Sequence, residues 1–145
     1  MTDKILIGSD HGGFALKTTL LAMDGIAWDD CGVTSDAASD YPDIAHRLCH
    51  QITKGAAKCG VLICGTGVGI SIAANRISGI RAALCADVTT ARLARQHNDA
   101  NVLVLGGRLI GSEVATDIVK TFLATPFSGE DRHIRRIQKI EETAI

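Results

Sequence analysis

The segment Cys64-Gly65-Thr66-Gly67-Val68-Gly69 combines a potential acid–base group with a permissive main chain. It follows the apolar residues 61–63, which predict a buried strand, and precedes residues 70–74, which predict a helix. Glycine adopts backbone angles that other residues avoid and lets a ligand approach the main chain. The loop N–H groups and the start of the helix can then bind an anion. We therefore expect Cys64 to transfer protons on a small, oxygen-rich, negatively charged molecule.

Two further acid–base candidates stand at the ends of predicted elements. Asp10 and His11 follow the first apolar run, and a helix cap formed by Asp10 is an alternative that is compatible with a role in a site. His97 ends a predicted helix, where a histidine often caps carbonyl groups. Because histidine titrates near neutral pH, His97 is also a candidate general acid.

Arg132 and Arg136 are four residues apart, so on a helix they share one face. Guanidinium groups suit phosphate oxygens, which favours a phosphate clamp, although a solvated basic edge is the simpler alternative. His46 and His50 have the same spacing, but no third metal ligand is evident and the five cysteines form no Cys-x-x-Cys pair. We expect no metal site.

The glycine pattern alone also permits dinucleotide binding, with Asp87 about twenty residues on as the ribose-binding acid. This alternative is weaker, because the fingerprint requires a third glycine where Ile70 stands. The fingerprint also usually follows the first strand of a fold, whereas this loop follows the third predicted strand.

Composition bounds the function further. The 145 residues carry a formal net charge of −1 and 3% aromatic residues, whereas nucleic-acid-binding proteins usually show a basic excess and stacking aromatics. No apolar segment is long enough to span a bilayer, and no secretory leader is evident. We expect one cytoplasmic domain, residues 1–145, with no nucleic-acid or membrane partner.

Short apolar runs alternate with helical patterns. Strands are predicted at residues 5–7, 26–28, 61–64, 81–86 and 102–105, and helices at residues 14–23, 70–74 and 89–96 and from Tyr41, Ser112 and Asp131 onwards. The first helix has an apolar face of Phe14, Leu16, Leu20 and Leu21, and the last carries Ile134, Ile137 and Ile140 on one side. The pattern predicts an α/β, Rossmann-like doubly wound fold: a five-stranded, mainly parallel sheet with helices on both faces and a C-terminal helix.

Together these residues resemble the type B ribose-5-phosphate isomerases, a family that also contains galactose-6-phosphate isomerase subunits. The motifs that carry the resemblance are Gly8-Ser9-Asp10-His11-Gly12-Gly13-Phe14, Asp40-Tyr41-Pro42, Cys64 to Asn75, Gly79-Ile80-Arg81-Ala82, Arg95 to Val102, Gly106-Gly107-Arg108 and Arg132-His133-x-x-Arg136. One branch of the family has a glutamate base where Ile70 stands and lacks the cysteine, so this chain resembles the cysteine branch.

The resemblance implies a cofactor-free aldose–ketose isomerisation through an enediolate. Its implied catalytic residues are Cys64 as the base between C1 and C2, His97 as the acid of ring opening, Asp10 as its partner, and Thr66 for protons on the sugar oxygens. It implies that the developing oxyanion is bound by Asn98 and by the main chain of Gly65, Gly67, Val68 and Gly69. It also implies that Tyr41 contacts the sugar. The phosphate and the far end of the sugar would be bound by His11, Arg108, Arg132 and Arg136. Family sites are built from two subunits, which implies a homodimer or a dimer of dimers.

Three functions remain open at this stage. The first is isomerisation of ribose 5-phosphate, and the second is isomerisation of a six-carbon phosphate such as allose or galactose 6-phosphate. The two differ by one carbon between the glycine loop and the arginines, a gap that sequence does not measure. The third is a non-catalytic module that binds a phosphosugar or nucleotide, which the presence of Cys64 and His97 disfavours.

Overall fold

Alternating strands and helices build a parallel sheet that is covered on both faces. The computed structural model describes residues 3–142, so residues 1–2 and 143–145 of the predicted domain lie outside the described part. The strands are β1 (Lys4–Ser9), β2 (Ala27–Asp30), β3 (Cys59–Cys64), β4 (Ala82–Leu84) and β5 (Val102–Gly106), in the order β2-β1-β3-β5-β4. The helices are α1 (Phe14–Leu21), α2 (Tyr41–Thr53), α3 (Val68–Ala74), α4 (Val88–Asn98), α5 (Ser112–Ala124) and α6 (Asp131–Glu141).

The sheet confirms the predicted doubly wound fold, and all four strand pairings are parallel. Side chains alternate between its two faces, as the pleat requires. Leu6, Leu62 and Val104 pack in the core beneath α2 and α3, whereas Ile7 and Leu103 pack in the core beneath α1, α4 and α5. The chain changes direction across the sheet between β1 and β3, and ligands bind at such switch points.

Strand β4 is shorter than predicted, because its apolar pattern extends beyond the residues that pair. Its ladder to β5 spans Ala82 to Leu84, and Asp87 then begins α4 as the N-cap. The Asp87 carboxylate accepts hydrogen bonds from the backbone N–H of Thr90, at 2.7 Å, and from the Thr90 hydroxyl, at 3.0 Å. These two bonds lower the pKa of Asp87. Among residues 3–142, no helix combines the length and the apolar character that crossing a membrane requires.

The buried face of α1 differs from the predicted one. Leu16 and Leu20 are buried as expected, but Phe14 and Leu21 are half-buried, and Lys17 is enclosed with 1% of its surface exposed. The Lys17 ammonium donates to both carboxylate oxygens of Asp30, at 3.0 and 2.8 Å, and to the carbonyl of Val33. These bonds compensate the cost of burying the charge, and they tie α1 to the segment that follows β2.

We expect Lys17→Ala to lower the free energy of unfolding by about 3 kcal/mol, since it leaves Asp30 and the Val33 carbonyl without their buried donor. This value is at the lower end of the range for removing one partner of a buried ion pair, because Asp30 keeps some solvent contact. Urea unfolding at neutral pH measures the change. The matched control is Lys4→Ala, which removes an exposed ion pair to Asp29 and should cost less than about 1 kcal/mol. Equal losses in the two variants would contradict the role assigned to Lys17.

Candidate active site

A cavity of about 650 Å³ opens at the carboxyl ends of the central strands. It is lined by the loops that follow β1, β3 and β5 and by the start of α2. The lining residues are Asp10, His11, Gly12, Ser39, Asp40, Tyr41, Cys64, Gly65, Thr66, Val68, Gly69, Ile72 and Arg108. The structure therefore brings Arg108 together with the predicted site residues of the first 70 positions, except Gly67, which is buried and does not line the cavity.

Backbone hydrogen bonds join the three strand-end loops to one another. The N–H of Asp10 donates to the carbonyl of Ile63, at 3.2 Å. The N–H groups of Gly107 and Arg108 donate to the carbonyls of Cys64 and Gly65, at 2.8 and 2.9 Å. The floor of the cavity is thus fixed by the main chain and does not depend on side-chain packing alone.

Cys64 is the last residue of β3, and its side chain is 4% exposed where the cavity meets the core. Its Sγ accepts the backbone N–H of Gly67, at 3.1 Å. Gly67 has φ +80°, a left-handed conformation that L side chains rarely adopt, and this turn aims the amide back at the sulfur. An N–H donor stabilises a thiolate more than a thiol, because hydrogen bonds to charged acceptors are stronger.

The other four thiols are held in the protonated form. Burial raises the pKa of Cys49 to about 12 and that of Cys85 to about 11. Burial, together with the charges of Asp29 and Asp30, raises the pKa of Cys31 to about 11. Burial also raises the pKa of Cys59. None of these four lines the cavity, so Cys64 is the thiol in contact with it among the residues described.

Tyr41 closes one side of the cavity at the start of α2. Its ring lies so close to Gly69 that a Cβ on Gly69 would stand 2.5 Å from the Tyr41 Cζ. A side chain at position 69 would therefore have to displace the Tyr41 ring. Thr66 also lines the cavity and is exposed, with its Oγ1 accepting the N–H of Val68 at 3.2 Å.

Asp10 and His11 lie at the end of β1. Asp10 is buried, and its Oδ1 accepts the N–H of Gly13 at 3.2 Å, so it caps the 3₁₀ turn His11–Gly13. The capping alternative is thus correct, and it is compatible with a second role because Asp10 also lines the cavity. His11 is held by Ser39, which sequence reasoning did not single out; its position beside the Asp40-Tyr41-Pro42 motif was the available signal.

The remaining predicted residues form a second group on α4 and α6. The His97 ring stacks on the His133 ring, with centroids 4.4 Å apart and 16° between the planes. His133 is the buried residue of α6 among those described, and Arg132 and Arg136 are exposed. The Arg81 guanidinium bridges the same two helices, bonding to the Asn98 carbonyl and to Glu141.

The second group lies at the opposite edge of the sheet from Cys64. Helix α4 runs from the carboxyl end of β4 back to the amino end of β5, so its last turn lies at the amino-terminal edge of the sheet. Arg81, the residue before β4, bonds there to the carbonyl of Asn98. One chain therefore does not bring His97, Asn98, Arg132 and Arg136 to the cavity that holds Cys64.

A larger cavity, of about 860 Å³, lies at that opposite edge, among Asp3, Ile5, Cys59, Arg95 and Phe122. None of the predicted site residues within the described 3–142 lines it. Arg95 is engaged there by Asp99 and by the carbonyl of Ala100, at 2.8 and 2.7 Å. We therefore take the cavity of about 650 Å³ as the candidate site, because Cys64, Asp10 and His11 line it.

Comparison with known proteins shows what the chain as a whole is similar to. A model described as Ribose/Galactose Isomerase matches residues 5–140. The chain is 44% identical over 140 residues to ribose-5-phosphate isomerase B of Escherichia coli, which covers 94% of this chain and 93% of that protein. It is 40% identical over 129 residues to D-erythrulose-4-phosphate isomerase of Pectobacterium atrosepticum, covering 86% and 85%. A crystal structure of a ribose 5-phosphate isomerase from Thermotoga maritima matches with TM-score 0.95 at 53% identity, over 99% of this chain and 100% of that one.

The His97–His133 stack predicts a pH dependence of stability. Burial and the charges of Arg132 and His97 lower the pKa of His133 from 6.5, so the unfolded chain binds this proton more readily than the folded chain. The free energy of unfolding should therefore fall as the pH drops through about 6.5. Urea unfolding between about pH 8 and 5.5 should show a smaller fall in His133→Phe, which keeps an aromatic ring and cannot be protonated. Identical pH profiles for the two proteins would contradict this assignment.

Proposed function

This chain belongs to the ribose/galactose isomerase family, and we propose that it interconverts ribose 5-phosphate and ribulose 5-phosphate through an enediolate. The single observation that carries the proposal is the position of Cys64, at the wall of a strand-end cavity with an amide hydrogen bond to its sulfur. The identity to the Escherichia coli and Thermotoga maritima enzymes supports the choice of substrate.

In the proposed reaction, the Cys64 thiolate removes the proton from C2 of the open-chain aldose and returns it to C1. The amide of Gly67 stabilises the thiolate before the transfer, since it already points at the sulfur. Cys64 is only 4% exposed, which favours direct transfer of the proton from C2 to C1. No change of oxidation state in the protein is needed.

The enediolate carries negative charge on oxygen, and backbone donors suit that charge. The first N–H groups of α3 have no carbonyl partner within the helix by position, and the main chain from Gly65 to Gly69 is proposed to bind the oxyanion with Asn98. The N–H groups of Gly67 and Val68 already donate to Cys64 Sγ and Thr66 Oγ1, so these two would have to change partners to bind it. The Thr66 hydroxyl is exposed at this point and is proposed to move protons between the sugar oxygens. Tyr41, whose ring lies over Gly69, is proposed to contact the sugar.

The phosphate and the far end of the sugar are proposed to bind at His11 and Arg108. His11 and Arg108 line the cavity, and the Arg108 side chain extends along Gly65. Arg132 and Arg136 are proposed to complete the clamp, because guanidinium groups bind phosphate oxygens in pairs. Binding the phosphate remote from C1 and C2 orients the reacting carbons.

We further propose that each site is completed by a second copy of the chain. The last turn of α4 and the arginines of α6 lie away from their own chain's Cys64, as described above. Val68 and Ile72 are 50% and 55% exposed on α3, at the rim of the cavity, and Ile134 and Ile140 are exposed on α6. A two-fold dimer would cover these apolar side chains while supplying His97, with Asp10 as its partner, and the α6 arginines to the other chain's cavity.

The alternative function is isomerisation of a sugar phosphate with a different number of carbons, and one of the comparisons supports it. A relative that is 40% identical is a D-erythrulose-4-phosphate isomerase, so closely similar chains act on more than one carbon number. A six-carbon substrate such as allose or galactose 6-phosphate would need one more carbon between Cys64 and the phosphate clamp.

We expect the purified chain to turn over ribose 5-phosphate with a higher kcat/KM than allose 6-phosphate or galactose 6-phosphate. Cys64→Ala should lower kcat at least about a thousandfold, because it removes the base, while ribose 5-phosphate still protects the variant against heat. The matched control is Cys59→Ala, at the other end of the same strand, which should keep near-native kcat. Near-native turnover in Cys64→Ala would contradict the proposed role of Cys64 as the base. A higher kcat/KM for a six-carbon sugar phosphate would contradict the proposed substrate.

Co-expression of Cys64→Ala and His97→Ala chains tests the two-chain site. Each variant alone should be inactive. A mixed dimer contains one site with both substitutions and one site with neither, so random pairing should restore about one quarter of the native activity. If each chain used its own His97, the mixture would stay inactive, and the proposed arrangement would be wrong.

A further inference from the structure

We propose that Ser39 is a positioning residue that holds His11 as the neutral tautomer with its proton on Nε2. The proposal rests on the proposed function in one respect, namely that His11 binds the sugar phosphate. The loop that contains Ser39 joins β2 to α2, and Ser39 itself lines the cavity beside His11.

Ser39 and His11 are joined by two hydrogen bonds in opposite directions. The backbone N–H of His11 donates to Ser39 Oγ, and the backbone N–H of Ser39 donates to His11 Nδ1, both at 3.2 Å. The two residues are 28 positions apart in the chain, so the bonds fix the loop to the end of β1. A reciprocal pair restrains both the main chain and the ring of His11, which a single contact would not do.

The direction of the second bond determines the tautomer. A backbone amide has a proton to donate and no lone pair to offer, so Nδ1 must be the accepting, unprotonated nitrogen. In a neutral imidazole the proton is then on Nε2, on the other side of the ring. His11 consequently presents an N–H donor to a ligand in the cavity, and donors are what phosphate and sugar oxygens require.

The position of Ser39 is supported from the core. Lys17 binds Asp30 and the carbonyl of Val33, and Asp30 Oδ1 also accepts the N–H of Gly32. The N–H of Val33 donates to the carbonyl of Ser9, at 3.3 Å. The start of the loop is thus fixed to α1 and β1, and α2 begins two residues after Ser39.

The tautomer is measured directly by nitrogen NMR of the full chain labelled with ¹⁵N-histidine, at about pH 7.5, where histidine is mainly neutral. His11→Gln identifies the His11 signals by their loss. We expect a protonated Nε2 and an unprotonated Nδ1 in the native protein without substrate. A protonated Nδ1 would overturn the proposal. This readout does not depend on turnover, so it stands even if ribose 5-phosphate proves not to be the substrate.

Kinetics with ribose 5-phosphate tests whether Ser39 acts through His11. Ser39→Ala should raise KM roughly three- to tenfold with kcat nearly unchanged, the size expected for loss of one hydrogen bond. Ser39→Thr keeps the hydroxyl and should restore the native KM. The matched control is Ser35→Ala, in the same loop, where Oγ accepts the N–H of Ala37 within a local turn; it should leave KM unchanged.

A double-variant cycle separates positioning from general loosening of the loop. In a His11→Gln background, Ser39→Ala still removes the bond from the backbone N–H of position 11 to Ser39 Oγ. It should add no further rise in KM, because no imidazole remains for that bond to position. An unchanged KM in Ser39→Ala, a failure of Ser39→Thr to restore it, or an equal effect in Ser35→Ala would each overturn the positioning role.

Discussion

Parallel pairing of β1, β3 and β5 is the constraint on which the rest of the structure depends. Because the three strands run the same way and pair in register, they end at one edge, and Cys64 stands opposite Gly106 while Ser9 stands opposite Ile63. A slip of one residue in β3 would turn Cys64 to the opposite face of the sheet. The backbone hydrogen bonds between the strand-end loops secure this register where it matters for the cavity.

The candidate residues divide into two groups that are held by different means. The cavity group is fixed by strands and by main-chain bonds between loops. The α4–α6 group is fixed by one ring stack and by the Arg81 bridge, and it lies where strands begin. A chain of 145 residues thus carries acid–base groups at both edges of one sheet, and the proposed second copy is what would let opposite edges meet.

Much of this was accessible from the sequence, because the strongest signals are local. Apolar runs ending in glycine located the strands, and their parallel arrangement placed Asp10, Cys64 and Arg108 at one edge. Strand order and the extent of β4 were not accessible, since both depend on contacts far apart in the chain. Burial of Lys17 was missed because a charged residue breaks an apolar pattern, and its compensation by Asp30 appears only in three dimensions. The contact of Ser39 with His11 spans 28 positions and leaves no periodic signal.

Enclosure of the Lys17 ammonium has a practical consequence. Trypsin cleaves after lysines that its specificity pocket can reach, and reagents that acylate amines need the same access. Both would find the exposed Lys54, Lys120 and Lys139 in the folded chain, but would reach Lys17 after α1 separates from the sheet. The yield of the peptide cut at Lys17 therefore reports how often α1 separates from the sheet, and it can be measured in a crude extract without an activity assay.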